Sequence, residues 1–187
     1  ATSSVPADTS TTAQETTEAK AITPLSEGNT DTAYTENNDP VEVNYAVVEA
    51  DDLVTSHDTS LRVNPDYPRE LQPRQRGRAA SEVQVAKIAN TLNPARLGEN
   101  VMVSDGAPVI GPDGVVEVGN GRTIALKKVY EQGTEKAQEY KNWLIENAEK
   151  FGINKGAVEQ ANAPVLVRVR QTDVDRIAFT QEGNVST

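Results

Sequence analysis

Residues 119–123 have the residue types and spacing of an anion-binding corner. The valine-rich segment 115–118 predicts a short strand, Gly119-Asn120-Gly121 predicts a tight turn, and Arg122 begins a predicted helix. A glycine turn that opens a helix directs free backbone N–H groups and the positive end of the helix dipole towards an anion. Arg122 adds a planar fork of donors that suits phosphate. The alternative is an ordinary strand-turn-helix in which the glycines supply turn geometry alone.

A second candidate segment, residues 62–78, contains five arginines and three prolines. The prolines predict an extended loop, because proline disfavours regular helix and central strand. Such a loop is suited to clamp phosphate, or else it is a surface loop whose arginines pair with nearby acids. The candidate phosphate-binding residues are Gln72, Arg74, Arg76 and Arg78 from this loop, and Gly119, Asn120, Gly121, Arg122 and Thr123 from the turn.

The composition excludes several kinds of chemistry. The chain of 187 residues has no cysteine, which rules out disulfides, a thiolate nucleophile and a cysteine-based zinc site. Its one histidine argues against a histidine-based metal site or catalytic triad. No apolar run is long enough to cross a membrane. For a nuclease, carboxylates that hold a metal ion are the expected requirement. Glu117 is the acid nearest to the turn and the candidate metal ligand.

The negative charge is concentrated at the front of the chain. The net charge is −10, but the residues beyond 60 are nearly neutral, so a basic surface for a polyanion is compatible with the composition. Residues 1–41 are rich in threonine, serine and acids and hold few apolar side chains. This composition predicts a disordered acidic tail. We interpret the tail as a solvated linker and not as an arm that competes with nucleic acid for a basic site. Residues 42–187 form the predicted domain.

The elements that position the two candidate segments follow from hydrophobic periodicity. Strands are predicted at 42–48 and 163–170, and a hairpin at 107–118. Helices are predicted at 82–92, with Ser81 as N-cap, at 122–131, at 135–150 and after Thr172. On the second strand, Arg168 and Arg170 either line a basic groove or are solvated. The fold class is α/β (α+β), a small mixed sheet with flanking helices.

The order of these motifs resembles a known superfamily. Gln72-Pro73-Arg74, Asn93-Pro94-Ala95-Arg96-Leu97-Gly98, the turn at 119–123 and Val165-Leu166-Val167-Arg168 occur in the order of the ParB/sulfiredoxin-like superfamily. The chain looks closest to the DdrB-like ParB domain of polyvalent proteins from phages and conjugative elements. The resemblance covers about residues 43–182.

The resemblance implies a phosphate- or nucleotide-binding domain of a phage or mobile-element protein that acts in DNA metabolism or DNA protection (antirestriction). It implies Mg²⁺ with a nucleoside triphosphate as cofactor, and a nucleotide, a DNA backbone or other domains of a larger polyvalent protein as partners, with no membrane. It implies the bacterial cytoplasm, or a phage virion delivered into it. Three alternatives stay open: a CTPase-like NTPase, a metal-dependent DNA nuclease, and a non-enzymatic virion-associated or DNA-binding module.

The turn departs from both branches of the superfamily. ParB proteins usually carry Glu-Arg-Arg after the first glycine, where this chain has Asn120-Gly121-Arg122. The identity of the nucleotide and its hydrolysis are therefore left open. Sulfiredoxins place a cysteine in this motif, and its absence here excludes their sulfinic-acid chemistry.

Overall fold

Five strands form one mixed sheet in the computed structural model, which describes residues 21–72 and 78–183. The strands are β1 (Ser26–Tyr34), β2 (Pro40–Glu49), β3 (Val109–Ile110), β4 (Val116–Val118) and β5 (Pro164–Arg170). Their spatial order is β1-β2-β5-β3-β4. Neighbouring strands are antiparallel except β3 and β5, which are parallel. The predicted mixed sheet with flanking helices is confirmed.

The strand β1 corrects the prediction that residues 1–41 form a disordered tail. It pairs with β2 along most of its length, although only Ala33 among its residues is buried. Asn29 adds a hydrogen bond from its side-chain Nδ2 to the carbonyl oxygen of Lys150, at 3.1 Å. A polar edge strand is held by backbone hydrogen bonds and carries little apolar signal in its sequence. Residues 1–20 of the predicted tail lie outside the described residues.

Five helices accompany the sheet in the described part of the chain. They are α1 (Arg78–Asn90), α2 (Asn120–Gln132), α3 (Glu135–Asn147), α4 (Lys155–Gln160) and α5 (Arg176–Gly183). Ser81 lies inside α1 and not at its N-cap, so the predicted start of that helix is wrong. The short α4 was not predicted; Asn154 caps it by accepting the backbone N–H of Ala157 at 3.1 Å. None of the described helices is long and apolar enough to cross a membrane.

The helices α1 and α2 pack against each other over the central strands. Val85 and Ala89 of α1 share one buried cluster with Ile124 and Ala125 of α2 and with Leu166 of β5. This packing brings the first turn of α2 beside the middle of α1. The turn at 119–123 therefore lies against α1, with Ile88 Cδ1 of α1 4.0 Å from the position of a Cβ atom at Gly121.

Candidate functional site

Gly119 joins β4 to α2 in a left-handed conformation that favours glycine. Its φ is 96° and its ψ is 32°, and it occupies the N-cap of α2. A Cβ atom at this position would lie 2.6 Å from Nη2 of Arg122. The missing side chain therefore permits both the turn and the close approach of the guanidinium group. The predicted order of strand, turn and helix is confirmed, but the helix begins at Asn120 and not at Arg122, so Asn120 and Gly121 belong to the helix. The first N–H groups of α2 have no acceptor inside the helix.

Arg122 is held at this corner with part of its donor capacity unused. Its Nη1 donates a hydrogen bond to the carbonyl oxygen of Ser104 at 2.7 Å. Its Nε and Nη2 are buried and have no hydrogen-bond partner in the described structure. Burial lowers the pKa of Arg122 to about 10, although the nearby Asp105 acts in the opposite direction. The group therefore stays protonated at neutral pH.

A cleft of about 630 Å³ opens beside this corner. Its walls are α1, the helical turn Pro94–Leu97, the following loop and the first turn of α2, where Gly121 and Arg122 contribute. Lys87 and Arg96 add two further positive charges, and both residues are exposed. Asp105 is the acid that lines the same cleft. The lining is therefore cationic overall, with uncharged polar groups from Gln84, Thr91, Asn93 and Asn100.

The loop 98–107, called here the cleft loop, is organised around the buried guanidinium of Arg168. Arg168 is 0% exposed. It donates hydrogen bonds to five carbonyl oxygens of the loop, those of Ala107 (2.8 Å), Asn100 (3.2 Å), Met102 (3.1 Å), Val103 (3.3 Å) and Asp105. Burial lowers its pKa to about 10. Arg168 therefore shapes one wall of the cleft from beneath, which corrects the prediction of a groove-lining or solvated side chain.

Asn120 and Gln72, two predicted phosphate-binding residues, are brought together by the backbone of Ser56. The N–H of Ser56 donates to Asn120 Oδ1 at 2.8 Å, and its carbonyl oxygen accepts from Gln72 Nε2 at 3.0 Å. Asn120 Nδ2 also contacts Tyr67 Oη and the carbonyl oxygen of Val116, each at 3.3 Å. Because Asn120 is only 6% exposed, its side chain fixes the segment around residue 56 and does not face the cleft.

A family model described as the ddrB-like ParB superfamily domain matches residues 36–171. The chain belongs to the ddrB-like ParB superfamily. The matched range begins just before β2, ends just after β5 and contains every residue that lines the cleft. Searches of curated proteins and of solved structures found no match.

The remaining predicted residues of this ddrB-like ParB domain fall into three groups. Thr123 is fully buried, and its Oγ1 donates to the carbonyl oxygen of Gly119 at 2.9 Å, so its side chain belongs to the helix. Arg74 and Arg76 lie outside the described residues. Arg78 begins α1, but its side chain also lies outside the described part. A clamp formed by these arginines stays a prediction.

Glu117, the candidate metal ligand, is engaged by arginines in the ddrB-like ParB domain. It is 0% exposed, and its oxygens accept from Arg170 Nε at 2.7 Å and Nη2 at 2.9 Å and from Arg176 Nε at 2.7 Å. Arg176 also donates two hydrogen bonds to Asp113, at 2.9 and 2.7 Å. The described residues contain no group of three or more side chains suited to hold a metal ion. Glu117 is therefore an ion-pair partner, and no metal site is assigned to it.

Three charged residues of the cleft were not named as candidates from the sequence. Lys87 lies on the same face of α1 as Gln84, and Thr91, just after the end of the helix, continues this polar stripe at helical spacing. Arg96 lies in the stretch that carried the family resemblance. No sequence pattern distinguished Asp105 as a candidate, because acidic residues in irregular surface loops are common.

Proposed function

We propose that this ParB-like domain binds the phosphates of a nucleotide, or of a DNA backbone, in the cleft at the first turn of α2. The observation that carries the proposal is Arg122, whose Nε and Nη2 lack partners where the cleft meets the N-terminus of a helix. Free N–H groups, a helix dipole and a guanidinium fork all favour phosphate oxygens. In a phage or mobile-element protein, such binding would serve DNA metabolism or protection against restriction.

The charge balance beneath the cleft supports an anionic ligand. The hydrogen bonds of Arg122 and Arg168 within the described structure go to carbonyl oxygens and to no carboxylate. Burying a positive charge is unfavourable unless nearby groups compensate it. Carbonyl dipoles compensate part of it, and the phosphate groups of a ligand would compensate more. Lys87 and Arg96 at the mouth would attract the same ligand from solution.

The size of the cleft favours a nucleotide over a single phosphate ion. Its volume of about 630 Å³ lies within the usual range of about 300–1,000 Å³ for small-molecule sites. No metal-binding set of carboxylates accompanies it in the described residues, where Asp105 is the acid of the cleft. In the part of the chain that the structure describes, the residues of the cleft do not fit a protein-held Mg²⁺. Binding, not cleavage, is therefore the activity proposed.

Ligand titration tests this proposal. The single tryptophan, Trp143, packs against Gly98 at the start of the cleft loop, so its fluorescence can report binding, with calorimetry as an independent measurement. The four nucleoside triphosphates, with and without Mg²⁺, and a short DNA duplex are the probes. Failure of every probe to bind at millimolar concentrations would contradict the proposal.

A variant with fewer positive charges in the cleft, compared with a control outside it, locates the site. Replacing Lys87 and Arg96 together by glutamine removes two exposed charges from the cleft and should weaken binding about tenfold or more. These residues are cleaner targets than Arg122, which also holds the carbonyl oxygen of Ser104. Lys155→Gln, at an exposed position that does not line the cleft, is the control and should bind like the parent. Equal weakening by the control would place the ligand elsewhere.

A further inference from the structure

Asp105 is a negative charge placed inside a cationic cleft. It is exposed, it lines the cleft, and it lies close enough to Arg122 for its negative charge to raise the pKa of that guanidinium against the effect of burial. Within the described residues, no hydrogen bond or ion pair engages its carboxylate. A carboxylate at this place repels every phosphate group, so it lowers affinity for a ligand that is only anionic.

The backbone around Asp105 is fixed, so its side chain projects from a defined position. Its carbonyl oxygen accepts a hydrogen bond from Arg168, and the neighbouring carbonyl oxygen of Ser104 accepts one from Arg122. The loop is closed at its base by the N–H of Ala107, which donates to the carbonyl oxygen of Gly98 at 2.8 Å. A preorganised acceptor loses less conformational entropy on binding than a mobile one.

The cleft thus presents hydrogen-bonding groups of two opposite kinds. Lys87, Arg96 and Arg122 can only donate, whereas the carboxylate of Asp105 can only accept while it is ionised. A bare oligophosphate matches the donors and leaves the acceptor facing negative charge. A nucleotide matches both kinds, because its sugar hydroxyls and the amino groups of its base are donors.

We propose that Asp105 is a specificity-determining residue that accepts a hydrogen bond from a hydroxyl or amino group of the ligand and makes the cleft prefer a nucleotide to a bare oligophosphate. This inference rests on the proposed function, since it presumes that phosphate groups bind beside Arg122. Hydrogen bonds to a charged acceptor discriminate strongly, because the site rejects a ligand that leaves the acceptor unpaired.

The test compares two probes on three proteins in the presence of a chelator. Tripolyphosphate and each of the four nucleoside triphosphates are titrated into the parent chain, Asp105→Asn and Glu99→Gln, by calorimetry and Trp143 fluorescence. Glu99→Gln is the matched control, because Glu99 is an exposed acid of the same loop that pairs with Lys150 and does not line the cleft. Thermal unfolding checks that each variant is folded.

For Asp105→Asn, tripolyphosphate should bind about fivefold more tightly, because repulsion is removed. The preferred nucleotide should bind about tenfold more weakly, because the charged acceptor is lost. Glu99→Gln should leave the preference between the two probes unchanged. If the loss of nucleotide binding is smaller for the 2′-deoxy form, the donor is the sugar hydroxyl; an equal loss assigns the donor to the base or the 3′ hydroxyl.

Failure of the inference is distinguishable from failure of the proposed function. If the parent chain binds neither tripolyphosphate nor any nucleotide, even with Mg²⁺, the proposed function is wrong. If the parent binds both and Asp105→Asn tightens both alike, or changes neither, Asp105 does not select the ligand. An effect of Asp105→Asn that appears only after Mg²⁺ is added would mean that the carboxylate acts through a metal ion, which also overturns the inference.

Discussion

Two groups of arginines around the same sheet are stabilised in different ways. Arg170 and Arg176 meet the carboxylates of Glu117 and Asp113, so that positive and negative charges are matched. Below the cleft, the hydrogen-bonded partners of Arg122 and Arg168 in the described structure are backbone carbonyl oxygens, which carry dipoles but no net charge. The charges of Arg170 and Arg176 are therefore balanced by carboxylates, whereas the positive charges of Arg122 and Arg168 are not balanced by their hydrogen-bonded partners.

The difference separates arginines that join elements from arginines that also shape the proposed binding cleft. The ion pairs of Arg170 and Arg176 join β4 and β5 to the start of α5. Because positive and negative charges lie side by side in this group, its electrostatic field outside the group is small. The carbonyl-bound group fixes a loop while its charge continues to act on the neighbouring cleft. Both groups are mostly buried, so burial alone does not distinguish the two roles; the nature of the partners does.

Arg168→Met should have the largest effect on stability. It leaves five carbonyl oxygens of the cleft loop without their donor, and we expect a loss of about 3–5 kcal/mol in the free energy of unfolding. Urea titration followed by circular dichroism measures the loss. Arg168→Lys, which keeps the charge with fewer donors, should lie between the variant and the parent. A loss below about 1 kcal/mol would show that the loop is held by other contacts.

Gly119→Ala should have the next largest effect, and Gly133→Ala is its matched control. These glycines flank the two ends of α2, with φ of 96° and 62° respectively. A Cβ at Gly133 would meet no atom within 4 Å, whereas one at Gly119 would press on Arg122. We expect losses of about 1–2 kcal/mol for Gly133→Ala and about 2–4 kcal/mol for Gly119→Ala.

Ligand titration separates the two glycine variants further. Only Gly119→Ala should weaken phosphate binding, because only there does the added methyl group displace the guanidinium of Arg122. The same loss of stability and the same affinity in both variants would show that backbone strain is the whole effect and that the packing on Arg122 contributes nothing.

Asp113→Asn should have the smallest effect, and it should depend on pH. Burial alone would raise the pKa of Asp113, but hydrogen bonds from Arg176 and from the N–H of Val115 outweigh it and hold the pKa below its usual value. A lowered folded-state pKa contributes stability above the unfolded-state pKa, about 3.9, and the contribution disappears as the pH falls through the folded-state pKa. We expect the parent to exceed the variant by about 1–2 kcal/mol near neutral pH.

Urea unfolding at a series of pH values measures this difference. The difference between the two proteins should begin to shrink below about pH 4, the unfolded-state pKa, and should vanish once the pH falls below the lower folded-state pKa of Asp113. A difference that stays constant down to about pH 2 would mean that the charge of Asp113 does not stabilise the fold.

Much of the fold was predictable because its central elements carry strong apolar patterns. The strand β5, the hairpin of β3 and β4, and the turn into α2 were all predicted close to their observed bounds. The edge strand β1 was missed because its side chains are mostly polar and exposed. The helix α1 begins at Arg78 instead of after Ser81, because the arginine and alanines before the serine also favour helix.

The site was predictable where local sequence determines geometry and not where distant contacts do. The glycine turn and Arg122 follow from adjacent residues. The inward orientation of Asn120 depends on Ser56, 64 residues away, and no local pattern indicates that contact. Strand alternation placed Arg168 opposite Val167 and Val169, but it did not reveal that helices and loops cover both faces of a central strand.

The long sequence separation between Arg168 and the loop that it holds has a consequence for the synthesis of the protein. Arg168 Nε binds the carbonyl oxygen of Ala107, which leaves the ribosome 61 residues earlier. A nascent chain that stops before β5 therefore already contains every residue that lines the cleft, yet lacks the cation around which the cleft loop is ordered. Ligand competence should accordingly arise only after β5 has been translated and has inserted into the middle of the sheet.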